Sequence, residues 1–388
     1  MPIFNTPQTL VAACSFGLEA LVSEELRNLG IEILQTENGK VRFRGGQAEL
    51  AKALLWLRTA DRIGIELASF PAENFDELFD QTCALPWEDW LPPDAVMHIT
   101  GRSHKSKLFS VRDCQALVKK ALIKAMQRKY KLQTFPEDGA LYKIEISMLN
   151  DQATLMLDTT GPSLHKRGYR SDAGEAPLKE TLAAALVLLS RWEPSRILCD
   201  PCCGSGTIAI EAALIGLNRA PGLKRKFTAE TWPEADLKLW KTLRTQAQEQ
   251  ELPGDFRILA SDSDSKVLRK ARQNAQNAGV SDQVAIQTLN LSEFRSRKKY
   301  GVLITNPPYG ERIGEKAEVL ALYKDLKALM DSQETWSWFV LSADHGLETA
   351  INRQASKRRK LFNGKIPCQY FQFFGPFPSR HDFARDEA

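Results

Sequence analysis

From Pro177 to about residue 341 the chain alternates helix-length periodic segments with short apolar runs, a pattern that few folds can satisfy. The spacing predicts helices over 178–190, 205–216, 264–278 and 317–331, and strands over 196–200, 256–260, 284–289, 301–305 and 336–341. Alternation of this kind predicts an α/β fold with a mainly parallel sheet covered on both faces. Residues 357–362 and 367–374 read as a closing antiparallel pair. Residues 218–252 interrupt the alternation with Phe227, Trp232 and Trp240, as an inserted or elongated connection would.

The chemistry-bearing residues fall at the carboxyl ends of the expected strands. The run ending at Asp200 continues into Pro201-Cys202-Cys203-Gly204-Ser205-Gly206-Thr207 before an apolar helix. A glycine-rich turn after a first strand is where doubly wound folds hold nucleotides, because glycine lets backbone approach a ligand. Gly204 and Gly206 are assigned that role. No Lys follows them, so the turn is not a triphosphate loop, and it lacks the GxGxxG spacing of a dinucleotide site. Asp200 is placed to meet a cationic ligand group. The second strand ends at Ser261-Asp262-Ser263-Asp264, where Asp262 is positioned to accept both hydroxyls of a ribose, and Asp264 reads as the cap of the next helix. At the third strand end, Asn290 and Leu291 are positioned to meet the edge and face of an adenine.

The most specific signal is Val302-Leu303-Ile304-Thr305-Asn306-Pro307-Pro308-Tyr309. A buried strand running into these residues sets the Asn306 carboxamide oxygen and the Pro307 carbonyl at its end, while Pro307 and Pro308 remove competing N–H donors. Two acceptors can then converge on one amino group, with Tyr309 stacked on the planar ring that carries it. The candidate catalytic residues are therefore Asn306, Pro307, Pro308 and Tyr309. The cofactor candidates are Asp200, Pro201, Cys202, Gly204, Ser205, Gly206, Thr207, Asp262, Ser263, Asn290, Leu291 and Asn306. No metal is expected: the seven cysteines are scattered, and the adjacent Cys202 and Cys203 cannot easily chelate one tetrahedral ion.

The first 60 residues read as a small α/β unit, with a helix carrying Leu18, Leu21, Val22, Leu26 and Leu29 up to Gly30, a hairpin around Asn38-Gly39, and a second helix over 47–57. A second α+β unit follows, with strands over 63–70, 95–101, 141–149 and 153–160 and a helix over 111–130. Charge is unevenly spread through it. Residues 71–94 hold seven acids and no Lys or Arg, whereas 95–135 hold ten basic residues against Asp113 alone. Such a segment suits a polyanion, and the alternative is a solvated helix face. Lys105, Lys107, Lys119 and Lys120, together with Lys166, Arg167 and Arg170 of the linker, are the candidate nucleic-acid contacts. No window has the roughly 20 uncharged apolar residues of a membrane span, and no signal peptide is evident, so a cytoplasmic location is expected.

The glycine turn and the Asn306-Pro307-Pro308-Tyr309 motif resemble those of class I amino-methyltransferases. The linker His165-Lys166-Arg167-Gly168-Tyr169-Arg170 and the segment Ala176-Pro177-Leu178-Lys179-Glu180-Thr181-Leu182-Ala183-Ala184 resemble more narrowly the bacterial THUMP-containing enzymes that make N2-methylguanosine in 23S ribosomal RNA, of the type without a fused second methyltransferase domain. The resemblance implies a ferredoxin-like unit over 1–59, a THUMP RNA-binding domain over 60–165 and a Rossmann-like catalytic domain over 166–388. It also implies S-adenosylmethionine as cofactor, its methionine end covered by Pro177, Leu178 and Thr181, and large-subunit ribosomal RNA as partner, which makes the basic candidates RNA contacts. Many relatives carry Asp where this chain has Asn290. The same tetrapeptide serves adenine N6 in DNA, so a DNA adenine methyltransferase is the competing reading, and a catalytically silent RNA-binding assembly factor is a third.

Overall fold

The computed structural model describes residues 3–4, 6–170, 178–308 and 316–377, with 316–318 described in backbone only. Pro177 and Tyr309 lie outside the described residues. The chain forms two compact units. The first comprises the N-terminal stretch through Cys14, Val22–Leu164 and Arg225–Gln246; the second comprises Ser15–Leu21, His165–Lys224 and the chain from Ala247 onward.

The first unit is built on β1 (Gln8–Cys14), α1 (Glu19–Asn28), β2 (Ile33–Glu37), β3 (Lys40–Gly45), α2 (Gln47–Trp56), β4 (Ala60–Pro71), α3 (Phe75–Cys83), β5 (Val96–His104), α4 (Val111–Tyr130), β6 (Leu141–Leu149) and β7 (Gln152–Asp158). Its strands make one seven-stranded sheet in the order β2-β3-β1-β4-β7-β6-β5, antiparallel except for the β5–β6 pair. The expected boundary at residue 59 falls at the start of β4, which pairs with β1 on one side and β7 on the other, so the sheet runs across it. The Asn38-Gly39 hairpin is present, with Glu37 opposite Lys40 and Gly39 at φ 76°. Sequence periodicity did not reveal β1. Leu10, Val11 and Ala12 are all buried, and a central strand covered on both faces carries no polar alternation. It also did not reveal α3, whose first turn is capped by the Asn74 side chain accepting from the Glu77 N–H (2.9 Å) and whose acids suit a helix N-terminus.

Helix α4 has the expected ends, stopping at Lys131 in the left-handed conformation, and buries the stripe Cys114, Val118, Ala121, Leu122, Ala125 and Met126. The interrupting segment 225–246 packs within this unit. Trp232 stacks on Tyr142 at 5.0 Å and 7°, and its Nε1–H donates to the Leu141 carbonyl (3.0 Å); Phe227 stacks on Trp240 at the start of α7 (Leu237–Glu249).

The second unit carries α5 (Glu180–Ser190), β8 (Leu198–Asp200), α6 (Thr207–Gly216), β9 (Ile258–Asp262), α8 (Ser265–Ala278), β10 (Val284–Thr288), β11 (Val302–Thr305), α9 (Lys316–Ser332), β12 (Ser337–Ser342), α10 (Leu347–Ile351), β13 (Lys357–Asn363) and β14 (Ile366–Phe373). The sheet order is β10-β9-β8-β11-β12-β14-β13, parallel through β12 and closed by the expected antiparallel pair. Strands β8, β11 and β12 are buried along their whole length. Helix α6 is apolar on nearly every side and packs against α5 and α8, while Tyr323, Trp336, Trp338 and Phe371 anchor a separate cluster.

Candidate functional site

The order of the second sheet reverses between β8 and β11, the position at which open α/β sheets bind ligands beyond their strand ends. Asp200, Asp262 and Asn306 stand at or just past the carboxyl ends of β8, β9 and β11.

Asp200 is fully buried, and its Oδ1 accepts weakly from the Cys202 N–H at 3.4 Å. Burial, reinforced by the charge of Asp262, pushes its carboxyl up to about 7. The turn after it is tightly organised. The Gly204 N–H donates to Asp262 Oδ2 (2.9 Å), the Cys203 N–H to the Ser261 carbonyl (2.9 Å), and Asn274 Nδ2 of α8 to the Ser205 carbonyl (3.0 Å). Both glycines have positive φ, 52° at Gly204 and 82° at Gly206, but their surroundings differ. A Cβ at Gly204 would meet nothing within 4 Å, whereas one at Gly206 would stand 3.2 Å from Ala271 Cβ. Gly204 leaves room for a ligand; Gly206 lets the turn pack against α8. Burial raises the Cys202 thiol to about 12, so it is a neutral lining group.

Asp262 carries the turn through Oδ2 and accepts the Asp264 N–H through Oδ1 (3.1 Å). Asp264 caps α8 by accepting from the Lys266 N–H (2.7 Å), as its position suggested. Ser263 is exposed. Asn290 is also exposed, and its backbone N–H and side-chain amide both donate to Glu293 (3.0 and 3.1 Å), while Leu291 is buried.

Asn306 follows the buried strand β11, with Pro307 buried behind it. Its Oδ1 is buried and accepts no hydrogen bond among the described residues, and at the end of β9 the Ser261 hydroxyl is likewise buried without a partner among them. Buried polar atoms are almost always paired, because an orphan forfeits its hydration without compensation. A carboxamide acceptor and a hydroxyl left open at the ends of β11 and β9 have the chemistry of a site for a polar ligand, the Asn306 oxygen suited to an N–H donor.

Two linker residues require correction. Arg167 is 6% exposed, with Nε 3.6 Å from Glu211 Oε1 of α6, and Glu211 also accepts from the Tyr169 hydroxyl (3.1 Å). Arg170 donates through Nη2 to the Leu178 carbonyl (2.6 Å) and Thr207 Oγ1 (2.5 Å) and lies 3.4 Å from Glu180. These guanidinium groups fasten the linker to α5 and α6 instead of facing phosphate. Leu178 and Thr181 are buried beside them. Neither Arg170 nor Asn274 was distinguishable in the sequence as a support of the turn. Of the other basic candidates, Lys105, Lys120 and Lys166 are exposed, whereas Lys107 pairs with Glu73 and Lys119 with Glu137 (2.8 Å).

The Asp200 carboxyl gives a pH prediction for the cofactor-free protein. Its folded value lies above its ordinary 3.8, so the folded state holds a proton that the unfolded chain has lost, and stability falls as pH rises from about 4 to about 7. Asp200→Asn is expected to melt a few degrees above wild type at pH 8, with the gap shrinking toward pH 5. Equal melting temperatures at pH 8 would contradict it.

Residues 167–372 match the family model described as "RMKL-like, methyltransferase domain", residues 9–64 the RlmL ferredoxin-like domain and residues 72–158 the THUMP domain. The chain is 46% identical over 373 residues to "Putative RNA methyltransferase YpsC" of Bacillus subtilis, covering 94% of this chain and 96% of that protein. It is 44% identical to SMU.472, solved in complex with SAH, covering 96% of this chain and all of that one with a TM-score of 0.91. A Listeria monocytogenes protein described as a predicted N6-adenine-specific DNA methylase is equally similar, at 44% identity and TM-score 0.91 over 96% and 97% of the two chains.

Proposed function

The chain belongs to the RMKL-like methyltransferase family, and from that premise we propose that it methylates the exocyclic amine of a nucleobase in RNA, guanine N2 of 23S ribosomal RNA, using S-adenosylmethionine. The observation that carries the reading is the buried Oδ1 of Asn306 at the end of β11, unpartnered among the described residues. A SAH complex of a relative and the open space over Gly204 support the cofactor assignment. Asp200, the 201–207 turn, Asp262 and Leu291 would hold the cofactor, with Leu178 and Thr181 over its methionine end. Bound S-adenosylmethionine supplies an electrophilic methyl group on a sulfonium.

The chain's own task is alignment and charge stabilisation. The lone pair of an aromatic amine is delocalised into its ring, which makes it a poor nucleophile. Asn306 Oδ1 and the Pro307 carbonyl would accept its two N–H groups, favour the tetrahedral geometry that localises the lone pair, and stabilise positive charge developing on nitrogen. The prolines contribute no N–H to compete for those acceptors. Tyr309 is assigned the stacking role.

The THUMP match and the name of YpsC favour RNA; the name of the Listeria relative corresponds to the DNA alternative. The deciding experiment is transfer of labelled methyl to 23S ribosomal RNA lacking the modification and to DNA, with nucleoside analysis of the products. N2-methylguanosine would support the proposal. N6-methyladenine in DNA would replace it, and absence of cofactor binding would leave the silent-factor reading. RNA affinity is further expected to fall about tenfold or more between 50 and 200 mM salt as phosphate neutralisation is screened; a flat salt response would contradict a phosphate-binding surface. Among the described residues no helix is long and apolar enough to cross a membrane, and a cytoplasmic location is proposed from the ribosomal RNA substrate.

A further inference from the structure

We propose that Phe109 is a stacking platform for an unpaired nucleobase, standing at the head of a cationic track along α4; the proposal rests on the RNA reading above. Phe109 is 82% exposed, the most exposed large hydrophobic side chain among the described residues. It does not hang on a loose loop. The Ser103 hydroxyl donates to the Leu108 carbonyl (2.8 Å), the Lys107 N–H to Asp151 Oδ1 (2.6 Å), and the Asp151 N–H to Ser106 Oγ (3.1 Å), which ties the β5–α4 connection to the β6–β7 turn. Leu108 is buried and anchors the connection. The apolar requirement of the loop is therefore met by its neighbour, and the ring of Phe109 is presented to solvent from a fixed pedestal.

The charges around it select the occupant. Lys105 and Arg112 are exposed and form no ion pair among the described residues, whereas Lys107 is neutralised by Glu73. From Arg112 the outward face of α4 continues into an open shallow groove lined by Ala116, Lys119, Lys120, Ile123 and Lys124, in which Lys119 pairs with Glu137, Lys124 lies over the Phe79 ring and Lys120 is exposed; Asp113 is the helix's one acid. At 1.5 Å per residue the face from Arg112 to Gln127 is about 22 Å long. An exposed ring on an anchored connection, followed by a cationic track, is the arrangement that binds single-stranded nucleic acid: bases stack on aromatic faces while phosphates follow the charge. Inside a duplex both faces of each base are already stacked on its neighbours, so an isolated phenyl ring finds a free face most readily on an unpaired base. A phenyl ring makes no hydrogen bond, so the contact reads an unpaired base without reading its identity.

The test uses the full chain and two RNA probes, a hairpin with a single-stranded 3′ uridine tail and the same hairpin blunt-ended, in anisotropy titrations at fixed salt. Phe109→Ala is expected to weaken binding of the tailed probe about five- to a hundred-fold, matching the loss of one stacked base. It should leave the blunt probe, the melting temperature and the salt slope unchanged, and Phe109→Trp should restore affinity. The proposal is overturned if Phe109→Ala binds the tailed probe as wild type does, or if Phe109→Leu does, since the ring would then serve an apolar protein contact. Wild-type protein that binds neither probe would remove the RNA reading itself; salt-sensitive wild-type binding indifferent to Phe109 would remove this proposal alone.

Discussion

Asn306→Ala is expected to lower the methyl-transfer rate about 10²–10³-fold while leaving cofactor affinity within a few-fold of wild type. The magnitude is that of deleting one preorganised group aimed at charge developing in a transition state, on the order of 3–4 kcal/mol. The stability consequence runs the other way from most buried substitutions. Asn306 Oδ1 has no hydrogen-bond partner among the described residues, so removing it deletes a desolvated acceptor and not an interaction. The variant should melt at the wild-type temperature or above, the signature of a group retained for chemistry at the expense of stability. Single-turnover transfer and thermal melting measured side by side separate the two effects. A transfer rate within about threefold of wild type would show that the acceptor lies elsewhere.

Arg167→Ala is expected to destabilise the protein by about 3–5 kcal/mol, the cost of stranding the partner of a buried ion pair. The partner is Glu211, fully buried in α6, which would keep only the Tyr169 hydroxyl of the contacts described above. For a unit of this size the loss corresponds to roughly ten degrees in melting temperature. Arg167→Ala combined with Glu211→Ala should lose less than the two single losses added, because removing both leaves neither charge unpaired. The RNA affinity of the folded fraction should not change. Were the single variant to melt normally and bind RNA less tightly, the phosphate-binding role expected from the sequence would be right after all.

Arg167 also illustrates what the sequence conceals. A cation in a glycine-bearing linker has the same appearance whether it faces phosphate or a buried acid forty-four residues later. The missed signal was Glu211, a lone acid in the otherwise apolar Thr207–Gly216 helix, which had to find a positive partner once all sides of that helix were covered. The strand-end motifs were legible because their requirements are local. Asp200 and Asn306 each follow a short apolar run that can only be a buried strand, and both stand at strand ends in the structure. The ends of α4 were similarly local. By contrast β1, a run of small apolar residues, shows no period, and the different duties of Gly204 and Gly206 depend on Ala271, far along the chain.

The segment Arg225–Gln246 leaves the methyltransferase sequence, completes the packing of the first unit and returns. The backbone therefore passes between the units at three places, near residues 164, 224 and 246, in addition to the short excursion over Ser15–Leu21. No single cut separates the halves. A fragment beginning at residue 166 would carry away Trp232 without Tyr142, and the Phe227–Trp240 pair without the rest of the first unit's core, leaving apolar ring surface in water. For the same reason the catalytic half cannot be exchanged among relatives as a cassette: any recombination that keeps the fold must move the aromatic excursion together with the strand it covers.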